Sequence, residues 1–278
     1  MNIKEILKQK QFTFEKKYGQ NFLTDTNLLA SIVAKSGVDE NSTVVEIGVG
    51  AGTLTGEIAK RVKKVYGFEV DKKLKPVLDE TLKDYNNVEI IFNDIMKVNT
   101  DDIEKMIGTR YTVIANLPYY ITTPILMKFI EEANLVDAII VTVQKEVAER
   151  ICAKSGTSDY GAITATINAI GDTEIIKYID RTMFYPAPNV DSAVCKIVLN
   201  KDKYYIKDIN YFRKLVKTSF LMRRKTLVNN LIKGYKISRQ QCEEILTSLN
   251  LDVNVRGEEL SSKDFIDLSH KLLEKGIL

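Results

Sequence analysis

The chain has 278 residues, 45% hydrophobic and 28% charged, enough for one large domain and a smaller one and too rich in core-forming residues for a disordered tail. Its three cysteines, Cys152, Cys195 and Cys242, stand far apart in no metal-ligand spacing, and its single histidine, His270, lies near the C-terminus, so neither a zinc site nor a Ser-His-Asp triad is expected. The net charge is only +3, but from Lys201 onward 16 Lys and Arg face 10 Asp and Glu, a surplus of +6 against −3 for the remainder; this basic end is a candidate nucleic-acid surface, with solvated lysine-rich helices an equal alternative.

The longest apolar run, Ala138 to Val143, falls far short of the roughly 18 residues of a membrane helix, and the opening MNIKEILKQK holds no signal-peptide core; a cytosolic protein is expected. Residues 1–19 interleave Lys4, Lys8, Lys10, Lys16 and Lys17 with Phe12, Phe14 and Tyr18, a mixture that suits single-stranded nucleic acid or, alternatively, an amphipathic arm packed on the core. A helix follows, capped by Thr24 or Asp25, with Leu28, Leu29, Ile32 and Val33 on one face and Gly37 as its stop.

Val44 to Thr53, VVEIGVGAGT, reads as a buried strand entering a tight glycine turn and then a helix, the outline of a cofactor loop, although spaced glycines after a strand also make purely structural turns. Gly48, Gly50 and Gly52 fit G-x-G-x-G rather than the dinucleotide fingerprint. Glu46, two residues before the first glycine, would sit badly beside a pyrophosphate and suits a cationic nucleoside, of which S-adenosylmethionine is the obvious one.

Strands are predicted at Lys64 to Glu69, Val88 to Phe92, Tyr111 to Ala115 and Ala138 to Val143, alternating with helices near 53–62, 74–82, from about Thr123 and from Lys145. That alternation predicts an α/β fold with a doubly wound, mostly parallel sheet and a ligand crevice at the carboxyl ends of the strands. Glu69 at the tip of its strand is placed to accept from both ribose hydroxyls, with helix capping as the alternative, a role that Asp71 can fill. Asp94, after the next strand, can accept from an adenine amine.

Asn116-Leu117-Pro118-Tyr119 is the most specific stretch. An adenine amine has a delocalised lone pair and gains little from a strong base; it gains from two acceptors that hold both N–H bonds and turn the nitrogen toward sp³ geometry. The Asn116 amide oxygen and the Pro118 carbonyl are candidates, and Tyr119 offers a face on which a flipped base can stack. A turn proline beside a core tyrosine is the alternative.

EIGVGAG, Glu69, Asn93-Asp94, NLPY, KYGQNFL (residues 17–23) and FYPAPNVDSAV (residues 184–194) together resemble the ribosomal RNA adenine N6-dimethyltransferases of the KsgA/RsmA family, which share their core with the Erm methyltransferases. The resemblance runs through nearly the whole chain. It implies a Rossmann-like class I methyltransferase domain over residues 1–200 and a small all-helical RNA-binding domain over 201–278. It also implies S-adenosylmethionine as cofactor, with Gln20, Asn21 and Leu23 beside its methionine part, and Phe184 stacking on the target from the side opposite Tyr119. The implied reaction is dimethylation of two adjacent adenosines in a hairpin near the 3′ end of small-subunit ribosomal RNA, within an assembling subunit, by a monomer. FLMRRKTLVNNL and RGEELSSKDFIDL, with Leu117 in the NLPY segment, favour this group over Erm. An Erm-type enzyme acting on large-subunit RNA is the nearer alternative, and a non-catalytic assembly factor the further one. Val49 reads as a neutral variation between two glycines. Arg223, Arg224 and Lys225, read as opening a helix whose dipole they would oppose, are expected to meet phosphates, with ion pairs to Glu258 and Glu259 as the alternative.

Overall fold

In the computed structural model, which describes residues 3–15, 18–200 and 202–277, the chain forms two compact units, Met1–Ala148 with Glu174–Leu199 and Glu149–Thr173 with Asn200–Leu278. Lys16 and Lys17, part of the expected basic arm, lie outside the described residues.

The first unit begins with helix α1 (Ile3–Gln9), whose Ile3, Ile6 and Leu7 are buried. Phe12 and Phe14 pack on Phe22, their centroids 6.3 and 5.5 Å away, so the rings at the start of the chain serve its own packing. The two-residue strand β1 (Phe22–Leu23) leads to α2 (Thr26–Ser36), where Asp25 accepts from the Asn27 and Leu28 N–H groups and Gly37 ends the helix in the left-handed conformation. Both boundaries follow ordinary capping chemistry.

β2 (Thr43–Ile47), α3 (Thr53–Ala59), β3 (Lys64–Glu69), α4 (Lys75–Thr81), β4 (Val88–Phe92), α5 (Thr100–Ile107), β5 (Tyr111–Asn116), α6 (Thr122–Glu132), β6 (Val136–Gln144) and α7 (Lys145–Ile151) alternate as the sequence predicts. After α7 come α8 (Ala162–Ile170), in the second unit, and then β7 (Gly171–Ile179), the two-residue β8 (Phe184–Tyr185) and β9 (Ser192–Leu199), which from Glu174 onward belong to the first. The seven-stranded sheet has the order β4-β3-β2-β5-β6-β9-β7. β2 lies parallel to β3 and β5, β3 to β4 and β5 to β6, while β9 runs antiparallel to β6. Chain order reverses between β2 and β5, and that switch point is where the loops after β2 and β5 diverge and leave a crevice at the strands' carboxyl ends.

α8 belongs with the helices α9 (Ile209–Ser219), α10 (Leu227–Tyr235), α11 (Arg239–Ser248) and α12 (Ser262–Glu274). Its Ala165 carbonyl accepts from the buried Ser262 hydroxyl, 2.9 Å away. The boundary expected at residue 200 is therefore displaced: an apolar helix of the predicted first domain is core of the second unit. His270 accepts from the Lys207 N–H at 3.2 Å. Among the described residues no helix is long and apolar enough to cross a membrane.

Candidate active site

The carboxyl ends of β2, β3, β4 and β5 enclose a cavity of about 320 Å³, within the usual size range of small-molecule sites. Gln20, Asn21, Leu23, Glu46, Gly48, Gly50, Glu69, Asp94, Asn116, Leu117, Pro118, Tyr119 and Phe184 all line it. Gly52 stands behind the wall as the N-cap of α3.

The loop after β2 is fixed by protein contacts before any ligand is considered. Gly50 has φ +58°, and a Cβ there would lie 2.9 Å from the Phe22 ring. Its N–H donates to Glu69 Oε2 at 2.8 Å, and Glu69 Oε1 accepts from the Val70 and Asp71 N–H groups at 2.8 Å each. A carboxylate offers about four acceptor positions, so one remains on Oε2. Burial raises the Glu69 carboxyl above its ordinary value, opposed by those three backbone donors. Val49 is far from neutral: it is buried, and a Cβ on Gly67 of β3 would stand 2.6 Å from its methyl group, so the loop's own side chain locks onto a glycine in the next strand.

Glu46, fully buried, has no hydrogen-bond partner on either oxygen. A buried carboxyl without partners is costly unless it is neutral or a cation comes to it, and loss of solvation pushes it up to about 8. This orphaned acid on the cavity wall fits a positively charged nucleoside and misfits a pyrophosphate.

Near the mouth, the Gln20 amide oxygen accepts from the Glu15 N–H and its Nε2 donates to Asp71, tying the chain ahead of β1 to the loop after β3. Asp71 also caps the turn at Lys73, the capping role read from sequence. Asp94 Oδ1 accepts from the Met96 N–H at 3.0 Å. β1 pairs with β8 in the register Leu23↔Phe184, which joins two segments 161 positions apart into one wall. Phe184 is buried there.

Asn116 ends β5 with its Nδ2 donating to the Asn21 carbonyl at 3.3 Å, which orients the amide and leaves its oxygen as the acceptor. The Pro118 carbonyl, expected to serve as the second acceptor, already takes the Ile121 N–H at 3.1 Å and the Thr122 hydroxyl at 3.2 Å, because α6 starts directly behind it. The Tyr119 hydroxyl meets buried Ser192 Oγ at 2.8 Å, which fixes the ring, and burial raises its pKa.

A family profile described as ribosomal RNA adenine dimethylase matches residues 11–273. The chain belongs to the ribosomal RNA adenine dimethylase family. It is 41% identical over 279 residues to a ribosomal RNA small subunit methyltransferase A of Geobacillus sp., covering 97% of this chain and 95% of that one. To the protein of the same name in Bacillus licheniformis it is 42% identical over 281 residues, with 98% and 95% covered. Among solved structures, a dimethyladenosine transferase from Plasmodium falciparum is 25% identical with a TM-score of 0.79, covering 92% of this chain and 98% of that one. The 23S ribosomal RNA methyltransferase ErmE, 23% identical, shares the fold with a TM-score of 0.70 over 91% and 99% of the two chains.

In this dimethylase-family chain Arg223, Arg224 and Lys225 lie on the turn between α9 and α10 and open no helix. Arg223 is engaged: its Nη2 donates to the Ser158 and Tyr160 carbonyls and pairs with Glu258 at 3.1 Å. Arg224 and Lys225 are exposed and form no ion pair among the described residues. Sequence reasoning missed Ser192 and Gly67, whose roles depend on pairings between distant strands.

Proposed function

We propose that the protein uses S-adenosylmethionine to dimethylate N6 of two adjacent adenosines in a hairpin near the 3′ end of small-subunit ribosomal RNA, acting as a cytoplasmic monomer on an assembling subunit. The observation that carries this reading is the NLPY turn, which shares one cavity with an orphaned acid and a glycine loop. Bound in that cavity, S-adenosylmethionine supplies an electrophilic methyl on a sulfonium. Glu69 has one acceptor position left for a ribose hydroxyl, and Asp94 stands at the next strand end for the adenine amine. Gln20, Asn21 and Leu23 bound the methionine end, and Gly48 and Gly50 let backbone approach the ligand.

The target base, flipped into the mouth, stacks on Tyr119, whose hydroxyl is held by Ser192. Phe184, which lines the same cavity, would cover the base from its other face. One N–H of its amine is held by the Asn116 amide oxygen. With the Pro118 carbonyl occupied, the other falls to the Leu117 carbonyl, whose direction is preset because a residue before proline is confined to extended conformations. Held so, the nitrogen would aim its lone pair at the methyl group that S-adenosylmethionine would supply, and the amine would give up its proton to solvent. Arg224 and Lys225 meet phosphate outside the pocket.

The test uses methyl-labelled cofactor with small- and large-subunit RNA. Label in dimethyladenosine of the small-subunit RNA is expected, whereas label confined to large-subunit RNA would replace this reading with the Erm type. Asn116→Ala should slow single-turnover transfer by ~10²–10³ with cofactor and RNA affinity nearly unchanged, the usual loss when an interaction made in the transition state is removed.

A further inference from the structure

We infer that binding of a cationic adenosyl ligand expels a proton from Glu46, making this side chain the group by which the cavity tells a positively charged cofactor from an uncharged adenosine thioether. The inference rests on the cofactor reading above and deepens it.

Glu46 lies inside a central strand, fully buried, with both carboxylate oxygens unpartnered on the wall of the cavity. Among the described residues its surroundings offer no cation. On β3 the nearest charge is Glu69, another acid, with Asp71 beyond it already bonded to Gln20. On α3 the neighbour is the Thr55 hydroxyl, buried and itself without a hydrogen-bond partner, while Glu57 is paired with Lys60. β5 presents Ile114 opposite Glu46 and neutral Asn116 at its tip, with Tyr111 at the far end. Asp94, Tyr18, Tyr119 and Tyr120 complete the titratable groups of the lining, and none is positive at neutral pH.

A buried carboxyl with no partner on either oxygen favours its neutral form, and loss of solvation, with Glu69 adding to the effect, accordingly raises it to about 8. A ligand whose sulfonium and ammonium outweigh its single carboxylate reverses that balance, because a nearby positive charge favours the Glu46 carboxylate. The proton passes to solvent and an ion pair forms with the ligand. Linkage then sets the sign: protons compete with the cofactor, so its apparent affinity rises with pH wherever the free protein binds the proton and the complex does not.

Isothermal titration calorimetry of the whole protein at pH 7, in buffers of different ionisation enthalpy, counts the protons directly. S-adenosylmethionine should release a proton, at most one per ligand bound, as Glu46 passes from its neutral to its charged form. 5′-Methylthioadenosine, which carries neither positive group, should bind the same cavity with no release. From pH 6 to 7.5 the affinity for S-adenosylmethionine should climb by about tenfold per pH unit, with that for 5′-methylthioadenosine flat. Glu46→Gln, close in shape, should remove both the release and the slope. Binding of S-adenosylmethionine without proton release, or equal release by Glu46→Gln, overturns the inference and leaves the cofactor reading intact. Failure of both ligands to bind overturns the two together.

Discussion

Glu69 shows how a residue proposed for a ligand can also hold the loop around it. Its sequence position suggested a ribose acceptor; the structure adds that the same carboxylate holds the Gly50, Val70 and Asp71 N–H groups and thereby shapes the loop. Glu69→Ala should thus do two things. It strands two buried N–H groups, each worth ~1–3 kcal/mol, and it removes the ribose acceptor. Glu69→Gln keeps one oxygen for the Val70 and Asp71 donors but turns an amide N–H toward Gly50, so it should weaken cofactor binding by about 1.5–3 kcal/mol with a smaller fall in Tm than alanine gives. Calorimetry and thermal unfolding of both variants measure this. An alanine variant as stable as the parent would show that the carboxylate does not hold the loop. The place of Glu69 at a strand end beside the cavity was legible because it is a local feature; the scaffolding role was not, since it needs the register of β2 against β3.

At the scale of elements, legibility follows the same division. Asp25 and Gly37 bound α2 as read, because caps act within four residues. The NLPY turn was found, yet the choice of carbonyl depends on where α6 begins: Thr122 as its first residue consumes the Pro118 oxygen. β7 and β9, which complete the sheet beyond β6, and the wall formed by β1 with β8 left no periodic signal in the sequence as read. The turn between α9 and α10 separates a structural cation from two exposed ones. Reversing Arg224 and Lys225 to glutamate should weaken RNA binding and lower the slope of log affinity against log salt by about 1.5 or more, roughly 0.7–0.9 for each lost phosphate contact. Arg223→Glu should instead lower Tm, since it places an acid against Glu258 and two carbonyls. Filter binding across a salt series decides the first, and an unchanged slope would make Arg224 and Lys225 bystanders.

The whole molecule is less linear than its sequence suggested. A doubly wound sheet follows from strand and helix alternation, and that much was readable. The family resemblance implied a simple division at residue 200, but compactness follows burial, and α8 hides Thr164, Ala165, Ile167 and Ala169 almost completely. Its partners include α9 and α12, which come after residue 200, and the Ser262 hydroxyl is bonded to its Ala165 carbonyl. A fragment ending at Asn200 would keep α8 and discard what covers it, exposing an apolar helix at about 25 cal/mol per Å² of newly wetted surface. Such a fragment should be markedly less soluble than the full chain and unfold at lower temperature, although every strand of the sheet and every cavity residue is retained. Replacing Ile167 and Ile170 by polar residues within the fragment should recover solubility, because the exposed face is then no longer apolar. Light scattering and thermal unfolding of the fragment, its doubly substituted form and the full chain provide the comparison. A residue 1–200 fragment that is monomeric and as heat-stable as the full chain would show that α8 folds with the sheet and that the second unit begins after β9.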